Sequence, residues 1–265
     1  MKSEIQLAFE NCKKEKRPAL VSYIVASDPS KKKSLEILKS LGKYADILEL
    51  GFPHSTPIGD GGKIQTSSYR AIKNGFKMKD VFHIVKNFKK TIKKPIILMG
   101  YYNMIFQYGE NNFLKDCKKA GVSGIICVDL PWPENQIFAK KCKKKSIVFV
   151  QLLSPTTTKD RMRKIIKNSH SMNYLISILG TTGSKLNVSP KKILKNYNDI
   201  KRINSKKNLV IGFGITNKTI KSFKSADGVV IGSTLCNAIT NSIKNRQNPA
   251  LMLNKMIKKL KRKIS

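Results

Sequence analysis

At 265 residues with 40 % hydrophobic side chains, the chain can bury a real core as one large domain or two small ones, and no apolar run approaches the ~18 residues of a membrane span. Its formal net charge of +36, from 52 basic and 16 acidic residues, invites a polyanion partner. Yet only seven of the basic residues are arginine, the lysines recur in almost every predicted helix, and no aromatic residues interleave with them as a stacking platform requires, so they read as solvated helix faces with salt-sensitive, non-specific binding and no specific nucleic-acid site.

The chain begins with an amphipathic segment, residues 2–14, which lacks the apolar centre of a secretory signal. A cytoplasmic protein is expected. Cys12, Cys117, Cys127, Cys142 and Cys236 are odd in number and widely spaced, with no CxxC among them, so they read as reduced thiols rather than disulfides or a zinc site. His54, His83 and His170 are equally scattered, and no metal is expected.

Residues 19–25 (ALVSYIV) predict the first strand, and Ser27-Asp28-Pro29-Ser30 a turn and the start of a helix near 31–41. Residues 46–50 predict the second strand, with Ile47 and Glu49 on one face and Leu48 and Leu50 on the other. Gly51, Pro53, Pro57, Gly59, Gly61 and Gly62 then enforce a loop that carries Asp60. Helices are predicted at 63–74 and 78–88, a strand at 95–101, a helix at 113–120, a strand at 124–128, and a helix at 133–143. The rhythm continues with strands at 146–153, 173–178, 208–213 and 228–231, alternating with helices at 159–167, from Ser189-Pro190, and at 218–223. Short β-branched runs without strict alternation suit a parallel sheet buried on both faces, and eight strand–helix units fit a closed (β/α)8 TIM barrel. With no linker or repeat, the expectation is a single α/β domain over residues 1–265 with an extra N-terminal helix. The last segment places Leu253, Met256, Ile257, Leu260 and Ile264 on one face among lysines; it is read as a helix on the barrel wall, against the alternative of a basic helix lying on a membrane.

In such a barrel, function collects at the C-terminal strand ends, with phosphate commonly held after strands seven and eight. Thr181-Thr182-Gly183, Gly212-Phe213-Gly214 and Gly232-Ser233 fall there or next to there. Glycine lets backbone N–H groups approach an anion, and Ser233 opens a helix whose N-terminal dipole favours one. Glu49 at a strand tip and Asp60 on a rigid turn form a candidate acid/base pair. On the residues alone, Glu49 paired with a barrel lysine and Asp60 capping the next helix is an equally open reading.

The run Glu49-Leu50-Gly51, Pro53, Ser55, Pro57, Asp60-Gly61, Ile64-Gln65 closely resembles the signature of the tryptophan synthase alpha chain family. Further matches lie at 95–103 (PIILMGYYN), 121–131 (GVSGIICVDLP), 180–183 (GTTG), 212–215 (GFGI) and Gly232-Ser233, so the resemblance covers nearly the whole chain. It implies a retro-aldol lyase cleaving indole-3-glycerol phosphate to indole and glyceraldehyde 3-phosphate, for tryptophan biosynthesis. By resemblance Glu49 donates and accepts the proton, Asp60 holds the indole N–H, and Gly183, Gly214, Gly232 and Ser233 bind phosphate. Tyr23, Ile64, Tyr102, Tyr174, Thr182 and Phe213 would line the substrate pocket; Leu98, Tyr101, Phe106, Cys127 and Ile176 also sit in or beside strand ends. No cofactor is implied in this chain. The implied partner is a pyridoxal-phosphate-dependent tryptophan synthase beta chain, in an alpha2beta2 heterotetramer, meeting a face that holds Asn103 and Asp129. The sequence departs from the family's usual residues at His54 (Phe), Thr56 (Asp), Met104 (Pro), Ile178 and Leu179. The competing readings are another phosphate-binding barrel lyase or isomerase, and a basic polyanion-binding protein. A Schiff-base enzyme would need a lysine inside the barrel, and no predicted strand has one in its apolar middle.

Overall fold

A computed structural model describes residues 2–176, 188–212 and 214–265. Among them nine parallel strands form one sheet in the order β5-β4-β3-β2-β1-β9-β8-β7-β6. The strands are β1 (Ala19–Val25), β2 (Ile47–Gly51), β3 (Ile96–Gly100), β4 (Gly124–Cys127), β5 (Val148–Phe149), β6 (Gln151–Leu153), β7 (Met172–Ile176), β8 (Asn208–Gly212) and β9 (Gly228–Ile231). β5 pairs with β4 and β6 with β7, and only Val150 separates them, so one chain run joins both ends of the sheet and closes an eight-stave (β/α)8 barrel. The expected fifth strand is thus one stave broken at Val150, whose N–H still bonds Ile125 at 2.9 Å.

Helices surround the barrel: α1 (Glu4–Lys14), α2 (Lys31–Gly42), α3 (Gly62–Lys73), α4 (Met78–Lys89), α5 (Tyr102–Tyr108), α6 (Glu110–Ala120), α7 (Gln136–Lys144), α8 (Lys159–Asn168), α9 (Pro190–Ile203), a 3₁₀ turn at Ile220–Phe223, α10 (Ser233–Lys244) and α11 (Pro249–Ile264). Several start at side-chain caps: Ser30 accepts from the Lys33 N–H, Thr158 from Arg161 and Ser189 from Lys192. α5 is not among the helices expected from the sequence.

The strands sort their side chains into two cores. Val21, Tyr23, Ile47, Ile97 and Met99 fill the barrel, and α1 closes its floor with buried Ile5, Phe9 and Cys12. Leu20, Ile24, Leu48, Leu50 and Leu98 face outward into the layer between barrel and helices. α11 buries Leu253, Ile257, Leu260 and Ile264 in that outer layer, against α2 among other elements. Its apolar face is therefore covered by protein rather than by a membrane. Among the described residues no helix is long and apolar enough to cross one.

The N-terminal strand ends are pinned by paired charges. Asp46, just before β2, accepts two bonds from Arg17 at 2.8 and 3.0 Å, two from Lys261 at 2.8 and 2.7 Å and one from the Leu20 N–H at 2.8 Å. Burial alone would raise its pKa, but these bonds outweigh it and hold the carboxyl below its ordinary value. Asp227, just before β9, accepts bonds from Lys201 at 2.7 Å and the Leu209 N–H at 2.9 Å.

Candidate active site

β2 alternates as its sequence requires, so Glu49 shares the interior face with Ile47. It stands opposite Tyr23 on β1 and Ile97 on β3. Only 1 % of its surface is exposed, and neither carboxylate oxygen has a hydrogen-bond partner among the described residues. Burial without compensation raises its pKa to about 8. Among the described residues Glu49 is paired with no lysine: none of the described strands carries one, and the paired buried carboxylates there lie elsewhere.

Asp60 comes from the loop between β2 and α3. Burial raises its pKa to about 6, against a hydrogen bond from the Tyr101 hydroxyl that lowers it. The same hydroxyl accepts the Gly59 N–H at 2.9 Å. Asp60 does not cap α3, whose N-cap is Gly61 with no side-chain cap bond. Tyr23 and Tyr174, which line the pocket with Glu49, lie within electrostatic reach of both carboxylates, although Asp60 itself is not in that lining. Burial first, then Asp60 and Glu49 among their neighbours, raise both phenols well above their ordinary value. Gly51 and Gly212 make room for them, since a Cβ at either position would collide with the Tyr23 or Tyr174 hydroxyl respectively.

A small pocket gathers Tyr23, Glu49, Ile64, Tyr174, Gly214, Gly232 and Ser233, seven of the residues expected at the site, together with Met99, Ile215 and Val230. Gly214 takes a left-handed φ of 67°, which an L side chain resists. Gly232 is the N-cap of α10, with no side-chain cap bond, so the first N–H groups of that helix are available to an anion. A larger cleft of about 440 Å³ lies between Trp132 and Thr156–Thr158, but it has no carboxylate in its lining. The smaller pocket is the one that the buried Glu49 carboxyl lines.

Other expected residues fall differently. Tyr102 lies away from the pocket: its hydroxyl donates to Glu110 at 2.7 Å and its ring meets Phe106 and Phe138. Its neighbour Tyr101 meets the site instead. Leu98 faces the outer core, Phe106 is exposed, and Cys127 is buried in the outer core beside the larger cleft. Alternation along β3 puts Ile97 and Met99 inward, and only when carried past the strand's end at Gly100 does it reach Tyr101. Thr182, Gly183 and Phe213, with Ile178 and Leu179, lie outside the described residues. Asn103 and Asp129 are both exposed, and Asp129 accepts the Tyr102 N–H at 2.7 Å.

Behind the pocket, Asp28 is fully buried and accepts two bonds from Arg70, at 2.7 and 2.8 Å, while Arg70 also donates to Thr240 at 3.1 Å. This clamp joins the turn after β1 to α3, which carries Ile64, and to α10, which carries Ser233.

The fold and the pocket set the chain among barrel enzymes that do acid/base chemistry on a phosphorylated substrate. The family model for the tryptophan synthase alpha chain matches residues 9–265. A tryptophan synthase alpha chain from Pelagibacter ubique is 66 % identical over 264 residues, covering 99 % of this chain and all of that one. The crystal structure of tryptophan synthase subunit alpha from Legionella pneumophila superposes with a TM-score of 0.92 at 31 % identity, covering 100 % and 99 % of the two chains. A chain of a tryptophan synthase complex from Pyrococcus furiosus gives a TM-score of 0.80 at 35 % identity, covering 92 % and 98 %. The chain belongs to the tryptophan synthase alpha chain family, lyases that cleave indole-3-glycerol phosphate.

Proposed function

We propose that Glu49 and Asp60 carry out this cleavage with divided roles, and the observation that carries the reading is the buried, partnerless Glu49 carboxyl. With a pKa near 8 it is mostly protonated at neutral pH, whereas Asp60, near 6, is mostly ionised. Two carboxyls separated in this way by their surroundings can serve as acid and charge stabiliser in one site. Glu49 delivers its proton to the indole ring carbon that bears the side chain. The positive charge that develops on the ring nitrogen is met by the Asp60 carboxylate. The Glu49 carboxylate then takes the proton of the adjacent side-chain hydroxyl. The carbon–carbon bond breaks, its electron pair restores the neutral indole, and the hydroxyl carbon becomes the aldehyde of glyceraldehyde 3-phosphate. Atoms and charge balance with no water consumed.

Gly214, Gly232 and Ser233 hold the phosphate through backbone N–H groups and the α10 N-terminus, joined by Gly183. Tyr23, Ile64, Met99 and Tyr174 hold the indole, with Thr182 and Phe213 beside them by resemblance. The kinship to a subunit of the Pyrococcus complex supports docking to a pyridoxal-phosphate-dependent beta chain in an alpha2beta2 heterotetramer, over the strand-end face that presents Asn103, Asp129 and exposed Ile58 and Phe106. A soluble phosphate substrate fits a cytoplasmic enzyme.

The test is indole release from indole-3-glycerol phosphate, alone and with the cognate beta chain. Slow release alone and a rise in kcat/KM with the partner are expected. No indole in either case overturns the reaction; no rise, together with no complex by sedimentation at low and moderate salt, overturns the partnership.

A further inference from the structure

Two walls of the pocket stand on two helices, and one arginine spaces them. Ile64 lines the pocket from α3 and Ser233 from α10. Arg70 lies beyond Ile64 on α3 and Thr240 beyond Ser233 on α10, so at ~1.5 Å rise per residue the bond between them stands roughly 10 Å along each helix from the pocket. The guanidinium divides its fork among three elements. Its Nε and Nη2 donate to the two oxygens of Asp28, in the turn after β1, at 2.7 and 2.8 Å, and its Nη1 donates to Thr240 Oγ1 at 3.1 Å. The Thr240 hydroxyl has a single proton, which goes to the Cys236 carbonyl one turn back, at 3.2 Å, so towards Arg70 it accepts. Asn74, at the C-cap of α3, ties that helix to the same turn through the Pro29 carbonyl at 2.6 Å. Asp28 is fully buried. α3 is thus anchored to the barrel at Asp28, and α10 is referred to α3 through Thr240.

We propose that Arg70 and Thr240 are positioning residues that set the distance between the indole wall and the phosphate helix, and so select a substrate that carries both groups at one fixed spacing. The inference rests on the reading that Ile64 meets the indole and the α10 N-terminus the phosphate. A helix moves as a rod, because each turn is bonded to the next, so release at Thr240 lets Ser233 shift relative to Ile64. Separate fragments follow such a shift, since each meets only one of the two helices. An intact substrate cannot, because a chain of fixed length joins its ends, and it gives up contact at one of them. Among the described residues neither Arg70 nor Thr240 lines the pocket, so the proton transfers of Glu49 are untouched.

Three variants test it. Thr240→Val keeps the shape and removes the acceptor while leaving the Arg70–Asp28 pair intact; Thr240→Ser keeps the hydroxyl; Arg70→Lys keeps a cation beside Asp28 and loses the fork. Cleavage of indole-3-glycerol phosphate is followed in the complex with the beta chain. The dissociation constants of indole and of inorganic phosphate are measured separately on the full chain, with thermal melts confirming that each variant folds. Thr240→Val should raise KM for the intact substrate about three- to tenfold with kcat within about twofold, while the affinities for indole and for phosphate each stay within about twofold. Arg70→Lys should raise KM at least as far, and Thr240→Ser should behave as the wild type. An unchanged KM in Thr240→Val, or fragment affinities that fall as far as that for the substrate, overturns the inference. Gly232→Val, measured alongside, separates the two possible failures. If it binds inorganic phosphate as the wild type does, the placement of phosphate at α10 fails; if it loses phosphate while Thr240→Val keeps the wild-type KM, only the role of Arg70 and Thr240 fails.

Discussion

Tyr23 and Glu49 are register partners on adjacent parallel strands, and both turn inward to the same pocket. The tyrosine can stand there because β2 ends on Gly51, where any Cβ would strike its hydroxyl. A large, weakly acidic side chain thus walls one side of a carboxyl that has no cation beside it among the described residues, which keeps water out and the Glu49 proton on.

A bell-shaped pH dependence follows. On the proposed division of roles, Asp60 must be ionised and Glu49 protonated at the start of the cycle, so kcat/KM should rise through about pH 6 and fall through about pH 8. A profile flat from pH 5 to 9 would contradict the division of roles.

Stability carries the opposite mark of the same burial. The folded-state pKa of Glu49 lies above its ordinary value, so the folded protein binds this proton more tightly, and stability falls as pH rises from about 4.5 through about 8. Glu49→Gln should therefore unfold at higher denaturant than the wild type at pH 9, by up to a few kcal/mol, with the difference shrinking towards pH 5. Denaturant titrations of the two proteins at both pH values check it.

Gly232 bears on phosphate without any charge. A Cβ there would sit 3.3 Å from the Tyr23 ring, at the mouth of α10. Gly232→Val should raise KM about tenfold or more while leaving kcat within a few-fold, because it blocks anion approach and not proton transfer. Steady-state kinetics with indole-3-glycerol phosphate decide it; an unchanged KM would remove Gly232 from the phosphate site.

Much of this was legible in the chain. Period-two alternation placed Glu49 inside β2, and the glycine turns marked where an anion could approach. The same alternation along β3 gives Ile97 and Met99 as the inward set, but a strand followed directly by two tyrosines leaves the inward one ambiguous until the turn is seen. α5 was hidden because YNMIFQY begins without a capping side chain. The break at Val150 leaves no mark in a continuous β-rich run. Nor can a sequence tell which carboxylates acquire cations: among the described residues Asp46 and Asp28 do and Glu49 does not, and that depends on side chains distant in the chain, such as Lys261 and Arg70.

The clamp behind the pocket should act on stability. Arg70→Met leaves Asp28 buried without its cation, at an expected loss of about 3 to 5 kcal/mol. Asp28→Asn in the Arg70→Met background should recover part of it, because the stranded charge is removed. Denaturant midpoints of the single and double variants provide the check.

The central claim is that Glu49 moves the proton in both directions. Glu49→Gln keeps the shape of the side chain and removes the transfer. The most direct measurement is single-turnover cleavage of indole-3-glycerol phosphate by wild type and Glu49→Gln, each saturated with the beta chain, with substrate affinity measured in parallel. The account predicts a loss of about 10² to 10⁴ in rate with affinity within a few-fold. Retention of more than about a tenth of the wild-type rate would contradict it.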